Sequence, residues 1–326
     1  MPEMTLVQAL RDALAVEMAR DDRVVVFGED VGRRGGVFTV TEGLQERFGE
    51  ERVYDTPLDE NGILGMAAGM ALMGLRPVAE IQFVDFLWPG FDVVISDIAK
   101  ERFRSGGQYG VPLVIRSPYG GGVKGGLYHS QSPEAIFAHI PGLKVVIPAT
   151  PSEAKGLLIS AIRDEDPVVF LEPKKIYFGI KEEVPEGEYT IPLGQARVVQ
   201  EGSDVTIVSY GALLHEVLRA NETLKQEGIS AEILDLRTIL PFDGPTLLES
   251  VAKTGRIVIV VEAPRILSVA SELAAFVAER AVDYLDGPIV RVTGWDTPFP
   301  YALEPHYLPN VRRIVHGVRR ALGLVP

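Results

Sequence analysis

Short runs of consecutive apolar residues alternate with amphipathic segments through the second half of the chain, and this alternation restricts the fold more than any other feature. The runs cover 205–210, 231–236, 256–261 and 289–293. Continuous apolar runs of this length are typical of strands that are buried on both faces of a parallel sheet. Segments with helical periodicity fill the intervals between them. Strands that alternate with helices predict a mostly parallel sheet with right-handed crossovers.

The first half of the chain carries the same pattern with more glycine. Similar apolar runs lie at 23–27, 76–83 and 110–117, while the stretch 172–192 is charged and proline-rich without core periodicity. We therefore predict an α/β fold with two doubly wound domains. The predicted N-terminal domain covers 1–180, an interdomain linker covers 181–192, and the C-terminal domain covers 193–326.

Composition excludes several classes of function. The net charge of −13 argues against a nucleic-acid partner and against binding to an anionic membrane surface. The chain has no cysteine, so thiol nucleophiles, disulfides and Cys-ligated zinc are excluded. The longest apolar run, 63–75, is shorter than the about 20 residues that span a bilayer, and the N-terminus lacks a secretory pattern. We expect a cytoplasmic protein.

The stretch DTPLDENGILGMAAGMALM, at 55–73, predicts a loop followed by a helix start. Pro57 disfavours helix before it, and Glu60 falls in the first helical turn, where the helix dipole favours a carboxylate. Glycines within a helix cost about 1 kcal/mol each relative to alanine, and are tolerated where a backbone or ligand must approach closely. The same residues also fit a tightly packed buried helix in which Glu60 is only a capping charge.

Further candidates follow predicted strands. Glu29 follows Gly28 at the end of the run 23–27, and Phe86 belongs to an aromatic cluster after the run 76–83. Ligands of open α/β sheets bind at the carboxyl ends of strands, so Glu29 could contact a ligand and an aromatic ring could stack on one. A turn carboxylate and a core aromatic are the simpler interpretations.

The loop 118–126 contains five glycines and leads to His129. A histidine among polar residues after such a loop suits a general acid or base near neutral pH. The acidic cluster 164–166 could hold a cation through side chains and nearby carbonyls, although a solvated group of loop charges is the commoner explanation.

Several motifs in order resemble the β subunit of the thiamine-diphosphate-dependent 2-oxo acid dehydrogenases, and the resemblance covers essentially the whole chain. They are VFGEDVG, DTPLDENGILG, EIQFVDF, GLYHSQSPEAIFAHIPGLKVVIP and GWDTPFPY. The resemblance implies an N-terminal thiamine pyrimidine-binding domain and a C-terminal transketolase-C-like domain. The segments QFVDFLWPGFD and HSQSPEAIFAHIPG are most similar to those of bacterial branched-chain 2-oxo acid (2-oxoisovalerate) dehydrogenases. Pyruvate and acetoin dehydrogenases remain open.

The resemblance also implies roles for individual residues. Glu60 would hydrogen-bond the ring nitrogen N1′ of the cofactor's aminopyrimidine, Phe86 would stack on that ring, and His129 would assist acyl transfer to a lipoyl arm. The other cofactor-binding positions that the resemblance implies are Glu29, Leu58, Asp59 and Gln82. The substrate would be bordered by Phe83, Val84, Asp85, Phe86 and His129. A potassium ion would be held by carbonyls near Leu113, Val114 and Ala161 and by the side chains of Asp164 and Asp166.

The family binds the cofactor diphosphate through Mg²⁺ on a GDG motif that is followed by an Asn pair, and this chain has neither. The resemblance therefore implies that an α subunit holds Mg²⁺ and the diphosphate, in an α2β2 heterotetramer with sites at the subunit interfaces. The implied activity is oxidative decarboxylation of a small branched-chain 2-oxo acid. The acyl group would pass to the lipoyl-lysine of an acyltransferase component.

Three other classes of protein fit the sequence less well. A single-chain thiamine enzyme is disfavoured because the diphosphate motif is missing, and an NAD-dependent oxidoreductase because the chain has no dinucleotide fingerprint. A catalytically degenerate scaffold subunit would have replaced Glu60, Phe86 or His129, and all three are present.

Overall fold

Runs of β-branched residues form the central strands of two separate sheets. The computed structural model describes residues 1–326, and the chain divides into two compact units. The first unit comprises Met1–Tyr119 and Ile136–Leu193, and the second comprises Gly120–Ala135 and Gly194–Pro326. The two-domain α/β fold predicted from the sequence is confirmed, and its sheets are mostly parallel.

The first unit contains a parallel sheet and a separate antiparallel pair of strands. Its strands are β1 (Glu3–Thr5), β2 (Val24–Gly28), β3 (Val53–Asp55), β4 (Arg76–Glu80), β5 (Val114–Tyr119), β6 (Lys144–Val146), β7 (Val168–Pro173) and β8 (Lys181–Glu183). The parallel sheet has the order β6-β7-β5-β4-β2-β3, and β1 pairs with β8 in antiparallel fashion. Strands β2, β5 and β7 are buried throughout, as expected for a sheet covered on both faces.

Local signals start the helices around this sheet. The helices are α1 (Leu6–Arg20), α2 (Leu44–Phe48), α3 (Glu60–Leu72), α4 (Phe91–Val93), α5 (Glu101–Arg104), α6 (Glu134–Ala138), which spans both units, and α7 (Pro151–Arg163). Thr5 and Gln8 form a capping box at the start of α1, and Thr150 caps α7 with Pro151 in its first turn. Between α4 and α5 the backbone forms a π-helical turn, Val94–Ile98.

The second unit has its own five-stranded sheet, in the order β14-β13-β10-β11-β9. The strands of this sheet are β9 (Arg197–Gln200), β10 (Val205–Ser209), β11 (Ala231–Asp235), β13 (Ile257–Val260) and β14 (Val290–Val292), and a further short strand of the unit, β12 (Thr238–Leu240), does not belong to it. Only β9 is antiparallel to its neighbour in the sheet. The helices are α8 (Leu213–Gln226), α9 (Gly244–Thr254), α10 (Val269–Arg280), α11 (Glu304–Tyr307) and α12 (Val311–Ala321).

The observed division differs from the predicted domain ranges in two places. The predicted linker, 181–192, belongs to the first unit: it contributes β8, and Tyr189 Oη donates to Ser152 O of α7 at 2.6 Å. The segment Gly120–Ala135, predicted within the first domain, belongs to the second unit. Local composition does not report such contacts, because they join segments that are distant in sequence. None of the helices in either unit is both long and apolar enough to cross a membrane.

Candidate active site

Three neighbouring strands of the first unit end at one edge of its sheet. Gly28, the last residue of β2, lies opposite Asp55 of β3 and opposite Glu80 of β4. All three strands are parallel, so the segments that follow them leave the sheet on the same side. These segments carry the predicted cofactor and substrate residues of the first unit: Glu29, Leu58, Asp59, Glu60, Gln82, Phe83, Val84, Asp85 and Phe86.

Glu60 is the first residue of α3 and is 9 % exposed. The helix begins here because the side chain of Asp59 accepts a hydrogen bond from Gly62 N at 3.0 Å and caps it. Asp59, predicted to bind the cofactor, thus has a structural partner within its own helix. Leu58 is 79 % exposed in the chain. The start of α3 places a buried carboxylate in the first turn, where backbone N–H groups favour negative charge.

Glu29 lies in a concentration of negative charge. Burial is the main cause that raises the pKa of the Glu29 carboxyl, and the charges of Glu60, Asp30 and Glu80 raise it further. Mutual repulsion among these carboxylates favours a ligand that brings hydrogen-bond donors to them. The side chain of Gln82 donates to Asp30 Oδ2 at 3.5 Å, the limit of a hydrogen bond, and so lies beside the same group.

The aromatic residues Phe83 and Phe86 follow β4, the strand that pairs with β2. Phe83 and Phe86 pack edge to face with centroids 5.8 Å apart, and both are partly exposed. Val84 and Asp85, between them in a 3₁₀ turn, are buried. Of the predicted substrate-border residues in this turn, the two aromatic rings are therefore the accessible ones.

An unsatisfied hydroxyl lies beside these groups. Thr56 Oγ1 is buried without a hydrogen-bond partner, and Thr56 N donates to Gly28 O, next to Glu29, at 3.0 Å. A buried polar atom of this kind costs about 1–3 kcal/mol unless a partner reaches it. Two carboxylates, a free hydroxyl and a partly exposed aromatic ring fit an aminopyrimidine, which has ring nitrogens, an amine and a flat face. The residues present therefore fit the pyrimidine half of thiamine diphosphate.

A buried ion cluster was not predicted from the sequence. It contains Glu80, one of the carboxylates that raise the pKa of Glu29. Arg116 Nη1 donates to Glu80 Oε2 at 2.8 Å, and its Nε and Nη2 donate to the two oxygens of Glu172 at 2.7 and 3.0 Å. Tyr177 Oη also donates to Glu172, at 2.6 Å. The available sequence signal was a charged residue inside each of three apolar strands, since such charges are rarely buried unpaired.

His129 belongs to the second unit. It follows a 3₁₀ turn, Gly126–Tyr128, at the end of the glycine-rich loop, and it is partly exposed. Gly125 is required there, because a Cβ at Gly125 would lie 2.6 Å from His129 O and 2.8 Å from His129 Cβ. Two carboxylates of the same unit, Glu262 and Glu304, accept hydrogen bonds from the loop and were also missed in the sequence.

The residues predicted to hold potassium lie in the first unit, and several have partners within the chain. Lys144 Nζ lies 2.7 Å from Asp164 Oδ2 and 3.3 Å from Asp166 Oδ2. The carbonyl oxygens of Leu113 and Ala161 accept backbone hydrogen bonds, and Val114 lies in β5. No group of three or more His, Asp or Glu side chains is arranged to hold a metal. An ion bound here would rely on further carbonyl contacts or displace Lys144.

Both units match known domain families. Residues 2–179 match "Transketolase, pyrimidine binding domain", and residues 194–314 match "Transketolase, C-terminal domain". Among solved structures, a chain described as "Split gene transketolase, inactive beta4 tetramer" superposes with a TM-score of 0.82 at 25% identity, covering 98% of this chain and 99% of that chain.

Two relatives from Bacillus subtilis (strain 168) are similar along their full lengths. The chain is 51% identical to its pyruvate dehydrogenase E1 component subunit beta, over 99% of both proteins. It is 49% identical to its 2-oxoisovalerate dehydrogenase subunit beta, over 98% of both. The chain belongs to the family of β subunits of the thiamine-diphosphate-dependent 2-oxo acid dehydrogenases.

Proposed function

We propose that this chain forms the pyrimidine side of an active site completed by an α subunit, in an α2β2 heterotetramer that decarboxylates a branched-chain 2-oxo acid. The acyl group is then transferred to the lipoyl-lysine of an acyltransferase component. The observation that supports this proposal best is that Glu29, Glu60 and Phe86 lie in the segments that follow three adjacent parallel strands. Thiamine diphosphate, when bound, supplies the electron sink for loss of carbon dioxide.

We propose a task for each of these residues and for His129 of the second unit. Glu60, at the start of α3, would hold a proton in a hydrogen bond to the pyrimidine ring, and Phe86 would stack on that ring. The buried turn after β4 keeps water from one side of the pocket. His129 donates a proton to, or accepts one from, the incoming lipoyl group.

The exposed face of α3 supports a partner subunit. Gly65 and Gly69 have no atom within 4 Å of an added Cβ, and Met73 just after the helix is 85 % exposed. A glycine-lined helix face allows another helix to approach closely. The similar split-gene transketolase chain is described as inactive when it forms a tetramer of β chains alone. We therefore expect activity only with the α subunit.

Native mass spectrometry of the protein purified from its own cells tests the assembly. The expected species contains two copies of this chain, two of a second chain, and thiamine diphosphate. The shared site would be contradicted by a spectrum in which the chain appears alone, or only with further copies of itself, and still carries tightly bound thiamine diphosphate.

We propose separate sites for the two metal ions. Because the chain lacks a GDG motif and an Asn pair, we propose that the α subunit holds Mg²⁺ and the diphosphate. A potassium ion near Ala161 and Asp164 remains our proposal. Replacing KCl by choline chloride at equal ionic strength should lower the melting temperature if the ion binds, whereas equal melting temperatures would contradict it.

Glu60→Gln in the assembled enzyme tests the role of this carboxylate. Loss of the proton-holding group should lower the decarboxylation rate by about 10²–10⁴-fold, with the melting temperature unchanged. The matched control is Glu46→Gln, which alters an exposed acid in the first turn of α2. Isothermal titration should also show weaker binding of thiamine diphosphate to the Glu60 variant. Turnover near that of the unmodified enzyme would refute the assignment.

The substrate is tested by comparing kcat/KM for 3-methyl-2-oxobutanoate and pyruvate. We propose the branched acid because the sequences around Phe86 and His129 resemble those of branched-chain 2-oxo acid dehydrogenases. Pyruvate is the second candidate, because the pyruvate dehydrogenase relative is as similar as the 2-oxoisovalerate dehydrogenase relative. A preference of tenfold or more for pyruvate would decide for the second candidate.

A further inference from the structure

The glycine-rich loop that carries His129 is closed at its base by hydrogen bonds within the second unit. Gly120 N donates to Gln131 O at 2.9 Å, so the two ends of the loop lie side by side. Between these ends the backbone turns through three glycines with positive φ, Gly120, Gly122 and Gly126. Glycine has the widest conformational freedom of any residue, so such a loop does not fix the position of His129 by itself.

Glu262 is the second residue after β13, and it binds both ends of the loop. Its Oε1 accepts a short hydrogen bond from Gly121 N at the start of the loop, and accepts another from Ser132 Oγ, at 3.2 Å, at its end. The side chain is 5 % exposed. Hydrogen bonds to an ionised carboxylate are roughly twice as strong as neutral ones, so a buried carboxylate suits this position.

Glu304, at the start of α11, holds the middle of the loop. Its two oxygens lie 3.3 and 3.1 Å from Lys124 N, and its side chain is also 5 % exposed. Lys124 has a positive φ of 57°, a conformation that costs energy for a residue with a Cβ. The hydrogen bonds to Glu304 offset that cost at this point of the loop.

Two aromatic rings support the loop from the same unit. An added Cβ at Gly121 would overlap the ring of Phe299, and one at Gly126 would lie 3.7 Å from the ring of Tyr301. The loop backbone thus rests on Phe299 and Tyr301 while Glu262 and Glu304 bind its N–H groups.

We propose that Glu262 and Glu304 are positioning residues that fix the loop 120–132 and thereby hold His129 in place for acyl transfer. The positions of Gly121, Lys124 and Ser132 around the two carboxylates support this assignment. Its catalytic part rests on the proposed function of His129, whereas its structural part does not.

Trypsin cleavage and hydrogen exchange of the protein, in whatever assembly it is purified from its own cells, test the structural part. Lys124 is the only lysine or arginine in 120–132, so cleavage there yields the fragments 1–124 and 125–326. Glu262→Ala should raise the cleavage rate at Lys124 at least tenfold and speed exchange of the Gly121 amide. Glu304→Ala should speed exchange of the Lys124 amide more than that of Gly121. Glu272→Ala, an exposed acid of α10, is the control and should change neither.

The conservative variant Glu262→Gln separates positioning from general destabilisation. Its side-chain oxygen can still accept from Gly121 N, so it should restore most of the protection that Glu262→Ala removes. If Glu262→Ala is cleaved at the rate of the unmodified enzyme, or if exchange rises equally throughout 194–326, the proposal is wrong.

Two activities, measured on the same preparation, test the role of Glu262 in acyl transfer. In Glu262→Ala, acylation of a lipoyl domain should fall at least tenfold, while decarboxylation with ferricyanide as electron acceptor should change less than twofold. Equal losses in both assays would overturn the positioning role. An unmodified enzyme that acylates no lipoyl domain would contradict the proposed function instead, and the cleavage result would still decide the structural part.

Discussion

Arg116 binds Glu172 through two parallel hydrogen bonds, of 2.7 and 3.0 Å, inside the sheet of the first unit. The Arg116 side chain is 1 % exposed and the Glu172 side chain is fully buried. Burial raises the pKa of the Glu172 carboxyl, and the Arg116 charge and the Tyr177 hydroxyl act against that rise. Glu80 binds the same guanidinium and contributes to the negative charge around Glu29. Glu80 therefore connects the ion cluster to the acidic pocket.

Arg116→Leu should lower the free energy of unfolding by about 3–5 kcal/mol, because it leaves two buried carboxylates without a cation. Urea unfolding of the chain, followed by circular dichroism, measures this loss. Tyr177→Phe is the matched control, since it removes one hydrogen bond to Glu172 and should cost about 1 kcal/mol. Similar losses in the two variants would show that the cation does not stabilise the cluster.

Glu134→Gln should remove a pH dependence of stability. Burial raises the pKa of Glu134 from its ordinary value of 4.5 to about 7, against the hydrogen bond from Tyr210. The native state therefore binds this proton more tightly than the unfolded state does, and stability falls as the pH rises from 4.5 to 7. The fall from this group is about 3 kcal/mol. Unfolding at pH 5 and pH 8 should show a smaller difference in the variant; an unchanged difference would contradict the prediction.

Glu29→Gln should stabilise the chain, and more at pH 8 than at pH 5. The pKa of Glu29 is raised by burial and by Glu60, Asp30 and Glu80, so the ionised carboxylate is unfavourable in the native state at high pH. Melting temperatures of the isolated chain at the two pH values measure the effect. The same change should weaken thiamine diphosphate binding in the α2β2 enzyme. A lower melting temperature at pH 8 would show that Glu29 stabilises the empty pocket.

Gly142→Ala should destabilise the first unit more than Gly187→Ala does. Both glycines have positive φ, of 103° and 72°. An added Cβ at Gly142 would overlap the carbonyl oxygen of Ala99, whereas at Gly187 no atom lies within 4 Å. Gly187→Ala should therefore cost only the backbone strain, about 1–2 kcal/mol, and Gly142→Ala about 1–3 kcal/mol more. Urea midpoints of the two variants measure the difference, and equal midpoints would show that the backbone near Ala99 yields.

The sequence predicted the elements of the site more accurately than their surroundings. Pro57, Asp59 and Glu60 lie within four positions, so the loop and the helix start that they produce could be recognised locally. Strand periodicity also placed Glu29 and Phe86 at strand ends. The membership of 120–135 in the second unit could not be recognised, because Gly121 and its partner Glu262 are 141 residues apart.

The sequence by itself determined the fold class, because apolar periodicity records which face of each segment must leave water, and that requirement is local. The ordered motifs also determined the family. Only the tertiary structure decided which charges meet. The pairing of β5 with β7 puts Arg116 opposite Phe170, two residues before Glu172, so the long Arg116 side chain reaches Glu172. Glu304 reaches Lys124 across 180 residues. Pairing at such distances depends on strand order and on the path of the chain, and no local pattern of residues encodes it.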